Sequence, residues 1–440
     1  MLSYEDSLKY IDSFINYERM GLGLLKRKFD LGKMRAALVK MGNPERNYRS
    51  VHIAGTKGKG STAVFVSSIL KEAGYTVGLY ISPHLITPRE RISINGEVIS
   101  KDDFALTLSE IEKIVSPEGG DSGYSFFEMY TLLAILYFSN RKADFAVFEC
   151  GLGGRLDATN VVPAGVSGIT SISYDHTEVL GNRLEEIAGE KAGIIKPGSF
   201  CVSAPQKASV MEVITEKCAL EKAALAVVGK DITYRVKKMT ETGSTFDVFG
   251  KAEYTDLRTS LAGEFQAENS AVAVGISEHI LGARPQGDTP EVTNAVKRGI
   301  FNAFIPGRLE ILAKEPYLVI DGAHNIASAA RLKYSVEEIF KYDRLILLLG
   351  FSEDKDIKGI CDEIAPMADE IIATRAMVRR AADPGVIKGY IRNKQVSIAR
   401  DTKEALGLAL SKAGKKDLIL ATGSFFLIGE IRKLILGEQE

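Results

Sequence analysis

Two doubly wound α/β domains joined by a short hinge are what this sequence predicts, on three observations. From about residue 50 onward, short apolar runs alternate with longer segments of helical periodicity, the pattern of βαβ units around a mostly parallel sheet. A glycine-rich segment lies between the first strand and the first helix of that series. Much later, Pro306-Gly307 interrupts a helical pattern and a fresh alternation begins. The length of 440 residues agrees, because it exceeds what one ordinary core organises.

In chain order, residues 49–54 read as a short buried strand and 61–73 as a helix closed by Gly74. Strands follow at 76–81, 144–150, 166–171 and 199–204, with helices at 101–115, 126–140, 184–194 and 208–223. Residues 231–260 break the rhythm and read as short antiparallel strands, a small insertion or edge. Helices at 263–281 and 290–304 close an N-terminal domain spanning 1–304. Residues 305–310 form the hinge. Beyond it, strands at 317–321, 344–351, 370–374 and 417–421 make a smaller, Rossmann-like domain over 311–440. A cleft between two such domains is suited to closing over substrate.

Composition narrows the function classes. Apolar content of 45% with 26% charged residues is that of a soluble globular protein. A net charge of −1 and the lack of a long basic run argue against nucleic acid or an anionic membrane as partner. The longest apolar runs are far too short to span a bilayer, and the first residues carry acids rather than an apolar signal segment. Cys150, Cys201, Cys218 and Cys361 are scattered without a C-x-x-C pair, which predicts neither zinc nor disulfides and suits a reducing cytoplasm.

The glycine-rich segment is Val51-His-Ile-Ala-Gly-Thr-Lys-Gly-Lys-Gly-Ser61. Small residues after a strand let backbone N–H groups wrap a polyphosphate at the positive end of a helix. Lys59 can then reach the outer phosphates, and the Ser61 hydroxyl is a typical ligand for nucleotide-bound Mg²⁺. This P-loop departs from the common G-x-x-x-x-G-K-[ST] form: Ile53 replaces the first glycine, and Gly60 sets Ser61 one place late. ATP binding is predicted against the alternative of a glycine-rich turn without a ligand.

A second signal is Phe148-Glu-Cys-Gly-Leu-Gly-Gly-Arg-Leu-Asp-Ala-Thr-Asn160, where Glu149 ends an apolar strand and could hold Mg²⁺. Of five histidines, His84, His176 and His324 each follow a strand end, whereas His52 inside the first strand reads as a core residue and His279 on a helix has no special context. Lys191 reads as a surface lysine on a helix turn. Asp321 could take a ribose hydroxyl or a second metal, and Lys355 a phosphate, or either could be a solvated charge.

Taken together, the segments His52–Ser61, Ser82-Pro-His84, Glu90-Arg-Ile92, Glu149–Asn160, Asp175-His176, Glu190-Lys-Ala-Gly-Ile-Ile-Lys196, Asp321-Gly-Ala-His-Asn325, Ser352-Glu-Asp-Lys-Asp356 and Thr422-Gly-Ser424 resemble the folylpolyglutamate synthase and dihydrofolate synthase family, a branch of the Mur ligases. The resemblance covers nearly the whole chain. It implies an ATP-dependent ligase: the γ-phosphoryl group passes to a substrate carboxylate, and the amine of L-glutamate displaces phosphate from the acyl phosphate. Folate or dihydropteroate is the implied acceptor. Gly58, Lys59, Gly60 and Ser61 would hold the ATP phosphates, with Asn269, Arg308 and Asp321 completing the nucleotide site. Ser82, Glu149 and His176 would ligate Mg²⁺. Lys59, His176 and Lys191 would be the catalytic residues, Lys191 as a carbamate. Ser125, Phe126, Phe127, Leu156, Asp157 and Ala158 match segments that receive the pteridine and its aryl ring. A monomer is the family's usual state. The chain departs from the family at Thr422-Gly-Ser-Phe-Phe426, where one phenylalanine is commonly leucine or tyrosine. Three readings compete: another Mur-type ligase acting on a cell-wall precursor, a P-loop NTPase driving a partner, and a non-catalytic relative. The last would be expected to have lost Lys59, Glu149 or His176, and all three are present.

Overall fold

The computed structural model describes residues 2–17, 30–115, 123–282 and 290–437. Strands β1 (Arg49–Ala54), β2 (Val77–Tyr80), β3 (Ile92–Ile94), β4 (Glu97–Val98), β5 (Phe145–Glu149), β6 (Val166–Ile169), β7 (Phe200–Ser203) and β8 (Ala224–Val227) form one sheet. Its order is β4-β3-β2-β5-β1-β6-β7-β8, parallel from β2 to β8. The central strands are buried on both faces, which is why they read as continuous apolar runs. Strands β3 and β4 add an antiparallel edge that the apolar pattern did not predict. Its sequence signal is Asn95-Gly96: both residues have positive φ, 52° and 82°, as a tight hairpin turn demands.

Helices Lys59–Glu72, Phe265–Leu281 and Pro290–Asn302 pack on one face of this sheet, and Lys101–Val115 with Phe126–Asn140 on the other. The predicted insertion is a three-stranded antiparallel sheet of β9 (Thr233–Thr240), β10 (Gly243–Phe249) and β11 (Glu253–Thr259). Its Phe246, Val248, Tyr254 and Leu257 join the first core.

The second domain is a six-stranded sheet, β12 (Glu310–Lys314), β13 (Tyr317–Ile320), β14 (Leu345–Leu349), β15 (Glu370–Ala373), β16 (Val396–Ile398) and β17 (Leu418–Thr422), ordered β12-β13-β17-β14-β15-β16. Only the β12 edge is antiparallel, and it begins at Glu310, the last residue of the predicted hinge. Leu345, Ile346, Leu347, Leu348 and Leu349 are fully buried, each contributing about 2 kcal/mol of apolar transfer. No described helix is long and apolar enough to cross a membrane.

Register places the site. Ile53 pairs with Glu149, Ala54 with Ile169, and Tyr80 with Phe148, so β1, β2, β5 and β6 end nearly flush at their carboxyl edge. The segments leaving that edge carry Gly55–Ser61, Ser82, Glu149 and Asp175-His176. In the second sheet the carboxyl ends of β13, β14, β15 and β17 lead into Asp321, Ser352, Arg375 and Ser424. Ligands of open α/β sheets gather at such edges.

Candidate active site

The two carboxyl edges share one cavity of about 1100 Å³. The glycine loop forms part of its wall. Gly58 caps helix Lys59–Glu72 with φ +92°, and a Cβ there would lie 2.1 Å from Asn269 Oδ1, so both the conformation and the close approach require glycine. The helix starts at Lys59, two residues earlier than its periodicity predicts, which puts the N–H groups of Lys59, Gly60 and Ser61 in its first turn. The N–H groups of Thr56 and Lys57 donate to Ser171 O and tie the loop to the end of β6.

Two ammonium groups converge on one loop carbonyl. Lys59 Nζ donates to Gly55 O at 3.2 Å, and Lys191 Nζ reaches the same oxygen at 2.9 Å. Lys191 is only 3% exposed and lies beneath the loop rather than on the cavity wall, which overturns the expectation of a surface lysine. Burial, reinforced by the Lys59 charge, lowers its pKa to about 7.

Glu149 is buried at the end of β5, and its Oε2 accepts the Ser82 N–H at 2.9 Å. Burial raises the Glu149 pKa, opposed first by Lys59 and also by Arg308. His176 lines the same cavity with a left-handed backbone, φ 49°, and its Nε2 lies 3.7 Å from Asp175 Oδ1. Burial lowers the His176 pKa, so the ring is neutral at pH 7 and able to offer a lone pair. Among the described residues no three His, Cys, Asp or Glu side chains gather as a metal cage. The carboxylate of Glu149, the hydroxyl of Ser82 and the imidazole of His176, on the same cavity as the glycine loop, nevertheless suit Mg²⁺, which keeps waters and substrate phosphates in the rest of its shell.

Ser125, Phe127, Leu156, Asp157 and Ala158 line the cavity. Ser125 also caps helix Phe126–Asn140 in a capping box with Glu128. Phe126 must be corrected: it is 2% exposed, lies outside the cavity wall, and packs on Tyr130 with ring centroids 4.7 Å apart. The first turn of a helix turns successive side chains about 100° apart, so only one of the two phenylalanines can face the cavity.

On the opposite wall, Arg308 stacks on Phe425 at 4.9 Å. Asp321 is buried with both oxygens engaged: Oδ2 accepts Leu309 N–H at 3.0 Å and Oδ1 accepts Ala323 N–H at 2.8 Å. It therefore braces the turn that carries Arg308. His324 Nδ1 donates to Gly322 O at 2.7 Å, and burial pulls its pKa down to about 3. The sequence reading missed Lys57, Arg331 and Arg380, all on the cavity wall. Lys57 pairs with Asp175 at 3.7 Å. Arg380 was findable, because it follows the carboxyl end of β15.

Residues 53–277 match the Mur ligase middle domain, and residues 307–425 the Mur ligase glutamate ligase domain. The dihydrofolate synthase/folylpolyglutamate synthase of Bacillus subtilis (strain 168) is 33% identical over 437 residues, 98% of this chain and 99% of the relative. Its namesake in Escherichia coli (strain K12) is 32% identical, covering 94% of this chain and 93% of the relative. Mycobacterium tuberculosis folylpolyglutamate synthase complexed with ADP superposes with a TM-score of 0.90 at 31% identity, over 99% of this chain and 98% of that one. Escherichia coli FolC in complex with DHPP and ADP gives 0.85 at 27% identity, over 99% of both chains. This chain belongs to the dihydrofolate synthase/folylpolyglutamate synthase family of Mur ligases.

Proposed function

We propose that this chain joins L-glutamate to the carboxylate of a folate, and to that of dihydropteroate, with ATP as the phosphoryl donor. The observation that carries the reading is one cavity lined by both the Gly58–Ser61 loop with Glu149 and the cations Arg308, Arg331, Lys355 and Arg380. Acceptance of both substrates is supported by the double name of the Bacillus subtilis and Escherichia coli relatives.

In this reading the first-turn N–H groups of Lys59, Gly60 and Ser61 hold the ATP phosphates, and Lys59 leaves the Gly55 carbonyl for the outer ones. Asn269, Arg308 and the turn braced by Asp321 complete the nucleotide site. An oxygen of the acceptor carboxylate attacks the γ-phosphorus, the bond to the bridging oxygen breaks, and ADP departs. The glutamate amine then attacks the acyl phosphate carbonyl, loses a proton, and inorganic phosphate leaves. Ser82, Glu149 and His176 would hold Mg²⁺, which supplies positive charge to the phosphate oxygens. Phe127, Leu156 and Ala158 offer an apolar wall to the pterin and aryl rings.

Lys191 adds CO₂ at its unprotonated Nζ, releases a proton and becomes an anionic carbamate. Supporting this are its pKa of about 7 and the crowding of two ammonium groups on one carbonyl. We place the domain boundary in residues 305–310, and the protein in the cytoplasm as a monomer; its four buried, free cysteines suit a reducing compartment.

The deciding experiment measures ADP release with Mg-ATP and L-glutamate, comparing dihydropteroate, tetrahydrofolate and no acceptor, with product mass read in the same tubes. Turnover requiring an acceptor, with one glutamyl unit added, is expected for both pterins. Hydrolysis independent of any acceptor would overturn the reading in favour of an NTPase.

A further inference from the structure

Behind the cavity wall lies a chain of polar groups that the reaction above does not use. His52 on β1 and Thr159 are both fully buried. His52 Nε2 lies 2.7 Å from Thr159 Oγ1, and Thr159 Oγ1 lies 2.5 Å from Asp157 Oδ1. The Thr159 N–H donates to the same Oδ1 at 3.0 Å, while Leu152 N–H donates to Oδ2 at 2.7 Å. Asp157 lines the cavity; His52 and Thr159 do not.

Donor counting gives the chain a direction. An ionised carboxylate only accepts, so the Thr159 hydroxyl spends its proton on Oδ1. Its lone pair then accepts, and the donor is His52 Nε2–H. The tautomer follows: Nδ1 is the bare nitrogen, and it has no partner among the described residues. An unpartnered acceptor there is cheaper than an unpartnered N–H. Cys150 Sγ, 3.0 Å from Nε2, shares the same proton as a weak acceptor. Oδ1 is thereby saturated by two donors, both from Thr159; the carboxylate also takes the N–H groups of Leu152, at Oδ2, and of Gly151, which leaves Oδ2 as the oxygen to meet a ligand.

We propose that His52 and Thr159 are positioning residues that lock the Asp157 carboxylate so that one oxygen, at one angle, meets the N–H donors of the pterin acceptor. The inference rests on the ligase reading above. It separates the acceptor subsite from the phosphate loop, although β1 leads directly into that loop.

The test compares Thr159→Val, Thr159→Ser, His52→Leu and His52→Gln with the wild type, measuring KM for dihydropteroate, tetrahydrofolate, ATP and glutamate together with thermal unfolding. Thr159→Val is expected to raise the pterin KM about tenfold, the size of one hydrogen bond to a charged group, with the ATP and glutamate KM within about twofold. Thr159→Ser should return the pterin KM to near wild type, since it restores the hydroxyl. If Thr159→Val does not fold, His52→Leu against His52→Gln gives the same comparison, because the glutamine amide can place an N–H near the original Nε2. An unchanged pterin KM in a folded Val or Leu variant, parallel rises in all KM values, or failure of serine to rescue would each overturn the inference alone. Wild-type protein that extends neither pterin would overturn the ligase reading, and the inference with it.

Discussion

On the wall built from β1, β2, β5 and β6, charges of both signs stand close together. Lys57 pairs with Asp175 at 3.7 Å, Lys59 and Lys191 share the Gly55 carbonyl, and Glu149 is buried nearby. The wall built from β13, β14 and β15 is cationic. Arg308, Arg331, Lys355 and Arg380 reach the cavity there, and its acids are engaged: Asp354 by Lys355 at 2.9 Å and Arg380 at 3.7 Å, Asp321 by two backbone N–H groups, and Asp356 through Oδ1 by the Gly359 N–H at 2.9 Å. The first wall suits a phosphate chain with its metal; the second suits anions alone. Glu149 and Asp321 show the difference at one residue each. Both are buried carboxylates at strand ends whose pKa burial raises. Among the described residues Glu149 takes one backbone N–H, through Oε2 only, whereas both oxygens of Asp321 are occupied.

The largest expected effect lies on the mixed-charge wall. Lys59→Ala should lower the ligation rate about a thousandfold or more, since it removes the mobile cation from the phosphates. Its thermal midpoint should stay within about 2 °C of wild type, because the side chain bonds only loop carbonyls. Retained ligation, measured as glutamylated product, would refute the phosphate role.

Next, Glu149→Gln should cost about a hundredfold in kcat and move the Mg²⁺ activation midpoint to higher concentration. Asp321→Asn should change kcat less than about tenfold and instead lose about 1–2 kcal/mol in a urea melt. The amide keeps one acceptor oxygen where the carboxylate uses two. Equal collapse of kcat in both variants would break the distinction between the carboxylates.

A stability contrast comes third. Phe126→Ala should destabilise the fold by about 3–5 kcal/mol as a core cavity. Phe127→Ala should destabilise less and raise the pterin KM, read from denaturant melts and initial rates on the same preparations.

The last effect is a pH slope. In CO₂-depleted buffer, the Lys191 pKa is about 7 in the fold and has its ordinary lysine value in the unfolded chain. Between those values the unfolded state binds one more proton, so stability rises with pH across that window and is lowest below about 7. Lys191→Met should flatten the rise in thermal midpoint over this range, and added bicarbonate should raise wild-type activity but not that of the variant. An unaltered slope would show that Lys191 is not the group concerned.

Strand-end residues were the most legible part of the site. Glu149, His84, His176 and His324 stand out in the sequence as strand-end residues, Ser82 as a metal ligand is implied by the resemblance alone, and all five line the one cavity. Edge strands were the least legible: β4, β12 and β16 are short or half exposed, and their sequences carry no continuous apolar run. Phe126 and Phe127 were indistinguishable in a helix that is apolar nearly all round.

By itself the sequence determined the two α/β domains, the glycine loop and the family, because periodicity, small residues at a sharp turn and ordered motifs are properties of the chain. Only the tertiary structure decided that Lys191 lies beneath the glycine loop, that Asp321 braces a turn, and that His52 and Thr159 stand behind Asp157. Those assignments depend on which donor lies within about 3 Å of which acceptor. In this chain the partners are 136 residues apart for Lys191 and Gly55, and 107 for His52 and Thr159. No local pattern encodes such a distance; it is set when the two segments dock on the carboxyl edge of the same sheet.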